Sequence, residues 1–415
     1  MGDCDTESKQ YLEDLNVDII NNKQPIQFTP NVNEATHRWA PYVQGFSASF
    51  VQSIFDQYSE QYKNPQILDP FTGCGTVQVQ SKLNGFRSIG TELNPLLKFI
   101  ADTKLNSWKA SPKKLLNVFN NIKFSEPTLA PAFLRSKNQF SEGVLKNLEK
   151  LKGGIDNLPK RTDPQIKNLL NLAFSAILID VSKLKRSPCL GYDKSKTVDS
   201  DAPFVLMDQK VHQIAEDLEI IQSEYEDFID TVSEVKLANA MEYRHKNKFD
   251  LVITSPPYMN GLDYVINYKI EMGWLNFAED QANLRQVKDE MVVCDNVSKG
   301  LIRKFNPKYS NDWLEEIKNK ITENIIIRGK YRRTDMPLIV HKYFDDMYRV
   351  FEKISSKIKP SGRFVLVVGD SLIADVYVPT DLLLAKIGQD LGLQIEKIEK
   401  ARTRRSGQIR SYKLR

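Results

Sequence analysis

The first residues that could do chemistry form the stretch Thr254-Ser255-Pro256-Pro257-Tyr258, which follows a short apolar, β-branched run at 249–253. That run predicts a buried strand. Two successive prolines fix two φ angles and remove two N–H donors, so we expect both proline carbonyls to be free and rigidly aimed. With the serine hydroxyl and the tyrosine ring, they suit a planar base that bears an exocyclic amine. A plain diproline turn leaving a strand is the alternative interpretation.

A second candidate site is a loop with two glycines, Asp69-Pro70-Phe71-Thr72-Gly73-Cys74-Gly75-Thr76, between a predicted strand and a predicted helix. Gly73 and Gly75 allow a tight turn and a close approach of backbone to a ligand. The strand predicted at 87–91 ends in Glu92-Leu93, and this acid is placed to bind both ribose hydroxyls of a nucleoside. Asp69 would repel a pyrophosphate and suits a cationic ligand, which indicates S-adenosylmethionine rather than NAD or ATP.

Two further segments supply candidate cofactor residues. The loop at 36–46 precedes an amphipathic helix that starts near Ala48, and it can line a ligand pocket, although aromatic packing is the simpler interpretation of this loop alone. A strand predicted at 234–239 ends at an asparagine whose amide could contact an adenine edge. The predicted cofactor-binding residues are His37, Tyr42, Asp69, Pro70, Phe71, Gly73, Gly75, Thr76, Glu92, Leu93, Asn239 and Ala240.

The elements that must position these residues alternate between strands and helices, which predicts an α/β core. A strand at 363–370, after a turn at 359–362, and a final strand at 393–398 complete the predicted core. The expected organisation is a lead-in (1–33), the cofactor-binding half of the core (34–105), a helical insertion (106–233), the core segment with the Thr254–Tyr258 motif (234–277), a second insertion (278–335), the C-terminal core (336–400) and a basic tail (401–415).

Basic residues of the two insertions are candidate contacts to a phosphate backbone. The segment 185–196 is predicted to be a loop, and a solvated surface loop is an equally good interpretation of it. The cluster at 328–333 is also compatible with a simple solvated face. The candidate DNA-binding residues are Lys185, Arg186, Tyr192, Arg328, Lys330, Arg332 and Arg333.

The composition of the 415 residues excludes some classes of protein. Hydrophobic residues make up 41% and charged residues 27% of the chain, as in ordinary globular proteins. The net charge of +5 permits a polyanionic partner. No apolar run is long enough to cross a bilayer. Four cysteines without metal-ligand or disulfide spacing predict a cytoplasmic protein with no metal site.

Together, the glycine loop at 69–76 and the Thr254–Tyr258 motif resemble those of the amino-group DNA methyltransferases, over about residues 34–105 and 234–400. The resemblance implies a Rossmann-like class I methyltransferase sheet with two mainly helical insertions. It makes the insertion at 106–233 the candidate for target recognition and the segment at 234–277 the part of the core with the catalytic motif. The segment at 36–46 is similar to the one that these enzymes place beside the methionine end of the cofactor. A Ser-Pro-Pro-Tyr motif is typical of cytosine-N4 enzymes, whereas Asp-Pro-Pro-Tyr is commoner in adenine-N6 enzymes. Many Ser-Pro-Pro-Tyr enzymes carry the two motifs in the opposite order.

The resemblance also implies a function. It indicates site-specific methylation of cytosine N4 in a flipped-out base of double-stranded DNA, with S-adenosylmethionine as the cofactor and a cognate restriction endonuclease as a further partner. The implied catalytic residues are Ser255, Pro256, Pro257 and Tyr258: the ring stacks on the base, while the serine hydroxyl and the Pro256 carbonyl accept hydrogen bonds from the amine. Adenine-N6 methylation, RNA guanine-N2 methylation and a non-catalytic DNA-binding subunit are the alternatives, and a monomer and a dimer are equally compatible with the chain.

Overall fold

The structure is a computed structural model, and it describes residues 9–21, 26–43, 45–135, 139–186, 189–259, 263–294, 297–329, 331–401, 404–405 and 413–414. The first half contains α1 (Lys9–Leu15), β1 (Ile19–Asn21), α2 (Ala48–Tyr58), β2 (Gln66–Asp69), α3 (Thr76–Leu83), β3 (Arg87–Glu92), α4 (Pro95–Asn106), α5 (Pro112–Asn120), α6 (Glu142–Asp156), α7 (Pro164–Ile177), β4 (Leu184–Arg186), β5 (Leu190–Tyr192) and α8 (Ala202–Glu224).

The second half continues with β6 (Ser233–Leu237), β7 (Phe249–Thr254), α9 (Tyr264–Asn267), α10 (Lys269–Trp274), α11 (Gln281–Glu290), α12 (Lys299–Arg303), α13 (Asp312–Arg328), α14 (Met336–Ser355), β8 (Ile358–Leu366), β9 (Ser371–Ile373), β10 (Val376–Val378), α15 (Thr380–Asp390), β11 (Ile398–Lys400), β12 (Arg404–Arg405) and β13 (Lys413–Leu414). Short 3₁₀ helices lie at Thr29–Asn33, His37–Trp39, Ser59–Gln61, Ala132–Leu134 and Glu226–Phe228.

The chain folds into two compact units. The glycine-loop unit comprises Gln27–Leu237 and Asp263–Lys288, and the diproline unit comprises Met1–Ile26, Ala238–Leu262 and Asp289–Arg415. In the glycine-loop unit three strands pair in parallel in the order β6-β3-β2, and in the diproline unit β7 pairs in parallel with β8. Helices connect these parallel strands along the chain, so the predicted Rossmann-like α/β class is confirmed. The predicted domain boundaries stay predictions.

Helix starts in the glycine-loop unit follow directly from the sequence. Helices α4, α5 and α7 each begin with a proline that follows a polar residue, and the side chains of Asn94, Ser111 and Asp163 accept hydrogen bonds from backbone N–H groups of the first turn. A side-chain acceptor satisfies one of the free N–H groups at a helix start, and proline is already close to the helical φ.

The strand that carries the diproline motif is fully buried, since all six residues of β7 are inaccessible to solvent. Its pairing with β8 contains an irregularity: Phe249 pairs with Ile358, whereas Leu251 pairs with Arg363. The turn predicted at 359–362 therefore lies within β8 as extra residues of a bulge. Strand β8 ends at Leu366, four residues before the predicted end at 370, although the Val367 N–H still donates to the Thr254 carbonyl at 2.9 Å.

Two other predictions about local structure were wrong, and one hairpin was missed. The segment at 185–196, predicted to be a loop, contains the antiparallel pair of β4 and β5, in which Leu184 lies opposite Tyr192. The final strand begins at Ile398 instead of 393 and pairs in parallel with β1 of the lead-in. A hairpin of β9 and β10 was not predicted, because its turn residues Ala374 and Asp375 have φ of 49° and 63° without the glycine or asparagine that usually marks such turns.

Within the described part of the chain, no helix is long and apolar enough to cross a membrane. The most apolar helix, α7, is instead enclosed in the core of the glycine-loop unit. No group of three or more His, Cys, Asp or Glu side chains among the described residues is placed to hold a metal ion.

Candidate functional site

At two positions of the glycine loop, the backbone has a positive φ, a conformation that only glycine adopts easily. Gly73 and Gly75 have φ of 54° and 88°, and Gly75 is the N-cap residue of α3. A Cβ on Gly73 would lie 2.5 Å from the hydroxyl oxygen of Tyr42, and one on Gly75 would lie 3.0 Å from the Cβ of Ala101. The two glycines that the sequence singled out are therefore required by backbone conformation and by close packing. Pro70 and Thr76 are buried in the same turn, and Phe71 is half-buried.

The acid at the end of β3 is tied to this loop. One carboxylate oxygen of Glu92 accepts the Gly73 N–H at 2.8 Å and the other accepts the Asn94 N–H at 2.7 Å. Each oxygen can accept a second hydrogen bond, so the half-buried carboxylate can still take the two hydroxyls of a ribose. Burial raises the pKa of Glu92 to about 7, although the two backbone N–H groups act in the opposite direction. Leu93, which follows, is half-buried.

The first residue of the loop, Asp69, is also a buried carboxylate. It ends β2, and one of its oxygens accepts the Phe71 N–H at 3.0 Å. Asp69 also raises the pKa of Glu92 by charge repulsion, which places the two carboxylates in the same electrostatic environment. Two neighbouring carboxylates favour a cationic ligand over a pyrophosphate. This pair therefore fits a sulfonium nucleoside such as S-adenosylmethionine.

Tyr42 forms one side of the glycine loop. Its ring stacks with the rings of Tyr264 and Tyr268, at centroid distances of 6.4 and 6.1 Å, and meets Phe28 edge-on. Burial raises the pKa of Tyr42 well above its ordinary value, so its hydroxyl stays protonated. The aromatic packing that the sequence allowed for is thus present, and the same ring borders Gly73.

His37 is buried beneath this region. It is 1% exposed, its Nε2 lies 3.4 Å from the side-chain oxygen of Gln80, and its carbonyl accepts the buried Lys104 ammonium at 3.2 Å. Desolvation and the charge of Lys104 lower the pKa of His37 to about 3, so the imidazole is neutral near pH 7. Its Nδ1 and the Thr36 hydroxyl are buried atoms without a protein partner in the described part of the chain, and both can bond a polar ligand group.

The segment that carries His37 and Tyr42 is held by Asp217, which sequence reasoning missed. The fully buried Asp217 carboxylate accepts hydrogen bonds from the Thr36 N–H at 3.2 Å, the Arg38 Nε at 3.0 Å and the Trp39 Nε1 at 2.8 Å. These bonds offset the unusual backbone of Thr36, whose φ is 65°. The signal was an acid on the apolar face of α8, three residues after Ile214 and four before Ile221.

In the diproline unit, the two proline carbonyls of the corner formed by Ser255 to Tyr258 differ in their hydrogen bonding. The Pro256 carbonyl has no hydrogen-bond donor among the described residues, whereas the Pro257 carbonyl accepts the Tyr343 hydroxyl at 3.0 Å. The expectation that both proline carbonyls are free is therefore wrong for Pro257. The Ser255 hydroxyl donates to the Tyr258 hydroxyl oxygen at 3.4 Å, a long and weak bond.

The Tyr258 ring is half-buried and lies over a glycine. A Cβ on Gly369 would lie 3.6 Å from two carbons of the ring, which is ordinary van der Waals contact. Burial raises the pKa of Tyr258, so the phenol is neutral near pH 7. A neutral aromatic ring beside a free carbonyl and a hydroxyl can stack on a planar base and accept hydrogen bonds from its amine.

Asn239 and Ala240 belong to the diproline unit, and β6 ends two residues before Asn239. The Asn239 side chain accepts the Met241 N–H at 2.9 Å and donates to the Glu290 carbonyl at 2.9 Å. Its amide therefore has partners at both ends. Ala240 is buried.

The candidate DNA-binding residues fall into two groups. Lys185 and Tyr192 are exposed on the β4–β5 pair, whereas Arg186 is enclosed: it bonds the Glu271 carboxylate and the Asn267 carbonyl, and its guanidinium stacks on the Tyr268 ring at 4.5 Å. The charge of Arg186 is therefore compensated inside the glycine-loop unit.

The second group lies in the diproline unit. Arg328 pairs with Asp375 and Arg333 pairs with Asp335. Arg332 is an exposed residue. The prediction for Lys330 lies outside the described residues. Two of the arginines that the sequence suggested for phosphate contacts therefore already have carboxylate partners in this structure.

No protein-family model matches the chain. Two solved structures of the rRNA methyltransferase aviRa from Streptomyces viridochromogenes align with a TM-score of 0.25 over 57% of this chain and 68% of theirs, at 13% and 12% identity.

Comparison of sequences finds relatives along almost the whole chain. The type II methyltransferase M.BsoBI of Geobacillus stearothermophilus is 23% identical over 94% of this chain and 85% of its own length. M.AvaI of Nostoc sp. is 23% identical over 90% and 82%, and M.MvaI of Kocuria varians is 22% identical over 91% and 87%. Over about nine-tenths of its length, the chain is similar to type II methyltransferases.

Proposed function

We propose that this chain is a site-specific DNA methyltransferase that moves a methyl group from S-adenosylmethionine to the exocyclic N4 of a flipped-out cytosine in double-stranded DNA. The similarity to type II methyltransferases supports this proposal, and it also supports a place in a restriction–modification system with a cognate endonuclease as partner.

The observation that carries the proposal is the Pro256 carbonyl, to which no described residue donates a hydrogen bond. It belongs to a corner in which proline rings fix two successive φ angles, in the same motif as the Ser255 hydroxyl and the Tyr258 ring. Two acceptors and an aromatic face match the two hydrogens and the ring of a base that carries an NH₂ group. A purely structural turn would not be expected to leave a carbonyl without a donor among the described residues, because polar groups left without partners cost free energy.

The residues of the corner would act by positioning. A base inside a duplex must first be extruded, which costs a few kcal/mol. Stacking on Tyr258 would return about 1–3 kcal/mol of that cost. Hydrogen bonds from the amine to Ser255 and Pro256 would pull the nitrogen lone pair out of conjugation with the ring and direct it toward the methyl group. Holding the two reacting atoms in this geometry supplies most of the acceleration.

The glycine loop would hold the cofactor. Glu92 would accept the two ribose hydroxyls, Asp69 and Tyr42 would border the charged end, and the free N–H groups at the start of α3 would face the loop. The bound cofactor would supply an electrophilic methyl group on a sulfonium; the sulfur–carbon bond would break as the amine nitrogen takes the methyl group, and the amine would lose one proton to solvent. The rest of the proposed cofactor site within the glycine-loop unit consists of His37, Pro70, Phe71, Gly73, Gly75, Thr76 and Leu93.

The base is assigned to cytosine because Ser255 stands at the first position of the motif. The same hydroxyl and carbonyl would accept the N6 amine of adenine, so adenine-N6 methylation is the second candidate. Both candidates use the same residues and differ only in the ring that stacks on Tyr258.

The test is incubation of the purified protein with S-adenosylmethionine labelled in its methyl group and unmethylated double-stranded DNA, followed by mass spectrometry of the nucleosides. We expect labelled N4-methylcytosine. Labelled N6-methyladenine would instead support the second candidate. Label in guanine after incubation with RNA, or in no nucleoside at all, would refute the proposal.

The roles of the corner residues are tested by variants. Ser255→Ala and Tyr258→Ala should abolish methyl transfer while cofactor affinity, measured by calorimetry, is retained. Ser223→Ala is the matched control, because the exposed Ser223 hydroxyl bonds only the carbonyl of Ile220 in its own helix. Turnover near that of the wild type in either corner variant would show that the assigned roles are wrong.

A further inference from the structure

Tyr343 is a buried residue that the proposed mechanism does not use and that touches the diproline corner directly. It lies on α14, is fully buried, and donates its hydroxyl to the Pro257 carbonyl at 3.0 Å. Burial raises the pKa of Tyr343 far above its ordinary value, so the hydroxyl remains a donor throughout the physiological range. Its ring meets Phe344 edge-on at 5.2 Å, which fixes the direction of the phenol.

This hydrogen bond controls more than one atom of the corner. The Pro257 carbonyl belongs to the planar peptide group that continues into the nitrogen of Tyr258. The proline ring already fixes φ at Pro257, so ψ is the one soft backbone angle between this peptide group and the one that carries the Pro256 carbonyl. A hydrogen-bond donor on the Pro257 carbonyl therefore fixes the direction of the Pro256 carbonyl relative to the backbone of Tyr258.

The same bond also decides which acceptor is available. With the Tyr343 hydroxyl in place, the Pro257 carbonyl is satisfied and the Pro256 carbonyl is left for an incoming amine. Without it, two adjacent carbonyls would compete for the same NH₂ hydrogens, and only one of them suits the orientation that transfer needs.

We propose that Tyr343 is a positioning residue for methyl transfer, which locks the Pro257 carbonyl so that the amine of the target base is bound by Pro256 and the base stacks squarely on Tyr258. The inference rests on the proposed function, and it adds a residue 86 positions from the motif to the machinery of the same site.

Removal of the single hydroxyl should leave the fold in place. Other buried groups of α14 have their own partners: Asp346 accepts the Val293 N–H at 3.1 Å and Asp345 accepts the Tyr309 N–H at 2.9 Å. The ring of a phenylalanine at position 343 fills the same space and keeps the contact with Phe344. The matched control is Tyr348→Phe on the same helix, since the Tyr348 ring stacks on Tyr309 at 4.6 Å and its hydroxyl has no hydrogen-bond partner among the described residues.

The experiment compares wild type, Tyr343→Phe and Tyr348→Phe by single-turnover methylation of DNA, by cofactor and DNA affinity, and by melting temperature. We expect Tyr343→Phe to lower the rate constant of transfer about 10- to 100-fold with both affinities within about twofold of the wild type, because misplacement of a reacting group acts on the chemical step. Tyr348→Phe should match the wild type. An unchanged rate in Tyr343→Phe would overturn the proposal, and so would a loss of both affinities and of melting temperature in proportion to the rate.

A second readout does not depend on activity. With 3-fluorotyrosine placed at position 258, the wild type should give one sharp ¹⁹F resonance, and the Tyr343→Phe background should broaden or split it. An unchanged resonance would overturn the positioning role even if the protein methylates no DNA. A wild type that labels no nucleoside would refute the proposed function alone, so the two failures are distinguishable.

Discussion

The pKa of Glu92 predicts that cofactor binding depends on pH near neutrality. Burial raises this pKa to about 7, against an ordinary value of 4.5. Ribose hydroxyls donate to an ionised carboxylate much better than to a protonated one. With a pKa of about 7, about a tenth of the carboxylates are ionised at pH 6 and about nine-tenths at pH 8, so affinity should rise about tenfold across this interval. Glu92→Gln should remove this dependence and bind more weakly at pH 8.

The assay is isothermal titration calorimetry of S-adenosylmethionine at about pH 6, 7 and 8. Ionisation of the ligand itself affects wild type and variant alike, so only the difference between their slopes reports on Glu92. Glu60→Gln, which changes an exposed carboxylate of the same unit, is the control and should keep the slope of the wild type. A flat affinity in the wild type, or an undiminished slope in Glu92→Gln, would show that this carboxylate does not bind the ribose.

The raised pKa also has a consequence for stability without ligand. A carboxyl group whose pKa is higher in the folded state binds its proton more tightly there, so it contributes most to stability below pH 4.5 and loses this contribution as pH rises to about 7. The full difference of about 2.5 units corresponds to about 3 kcal/mol. Urea unfolding of the wild type and of Glu92→Gln at about pH 5 and pH 8 measures it, and equal pH dependence of the two proteins would contradict the assignment.

Asp217→Ala should lower the free energy of unfolding by about 3–5 kcal/mol, because it leaves the Arg38 guanidinium without its buried partner. Urea unfolding measures this loss, with Asp208→Ala, at an exposed position of the same helix, as the control. Equal losses in the two variants would refute the anchoring role of Asp217. Gly73→Ala should abolish cofactor binding and lower the free energy of unfolding by at least about 1–3 kcal/mol, because φ is positive and the new methyl group meets Tyr42. Gly300→Ala is the control and should be tolerated, because no described atom lies within 4 Å of the added Cβ. In the wild type, the buried neutral imidazole of His37 resists protonation between pH 6.5 and about 3, so the free energy of unfolding should fall by up to about 1.4 kcal/mol per pH unit as the pH drops. His37→Gln should reduce this dependence, and identical pH profiles of the two proteins in urea unfolding would contradict the prediction.

Local sequence patterns were sufficient for the glycine loop. The spacing of a strand, two glycines, a helix and a second strand ending in an acid is contained in fewer than thirty residues, and Gly73 and Glu92 are joined by a direct hydrogen bond. The diproline corner was located in the same way, because a buried and mostly apolar strand leads straight into it. In both cases chain connectivity brings the residues together, so the spacing in sequence carries the geometry.

The residues that the sequence did not reveal are those whose partners are distant in the chain. Tyr343 bonds a residue 86 positions away, and Asp217 bonds residues at least 178 positions away. Tyr343 and Asp217 each lie on the buried face of an amphipathic helix. In the sequence, each looks like an ordinary polar exception to the hydrophobic pattern until its partner is known. Arg186 shows the reverse case: it was interpreted as a surface cation, and the structure pairs it with Glu271, 85 positions along the chain.

The anchoring of residues 36–39 by Asp217 has a practical consequence for engineering. Asp217 sits on α8, inside the region predicted to recognise the target sequence, yet its bonds serve the segment beside the cofactor loop. The insertion at 106–233 therefore cannot be exchanged as an independent unit. We expect a chimera that replaces this region with that of another protein to keep the order of residues 36–39 only if it carries an acid at the equivalent helical position. Without that acid, the proposed methyl-donor site would be disturbed together with the proposed recognition region.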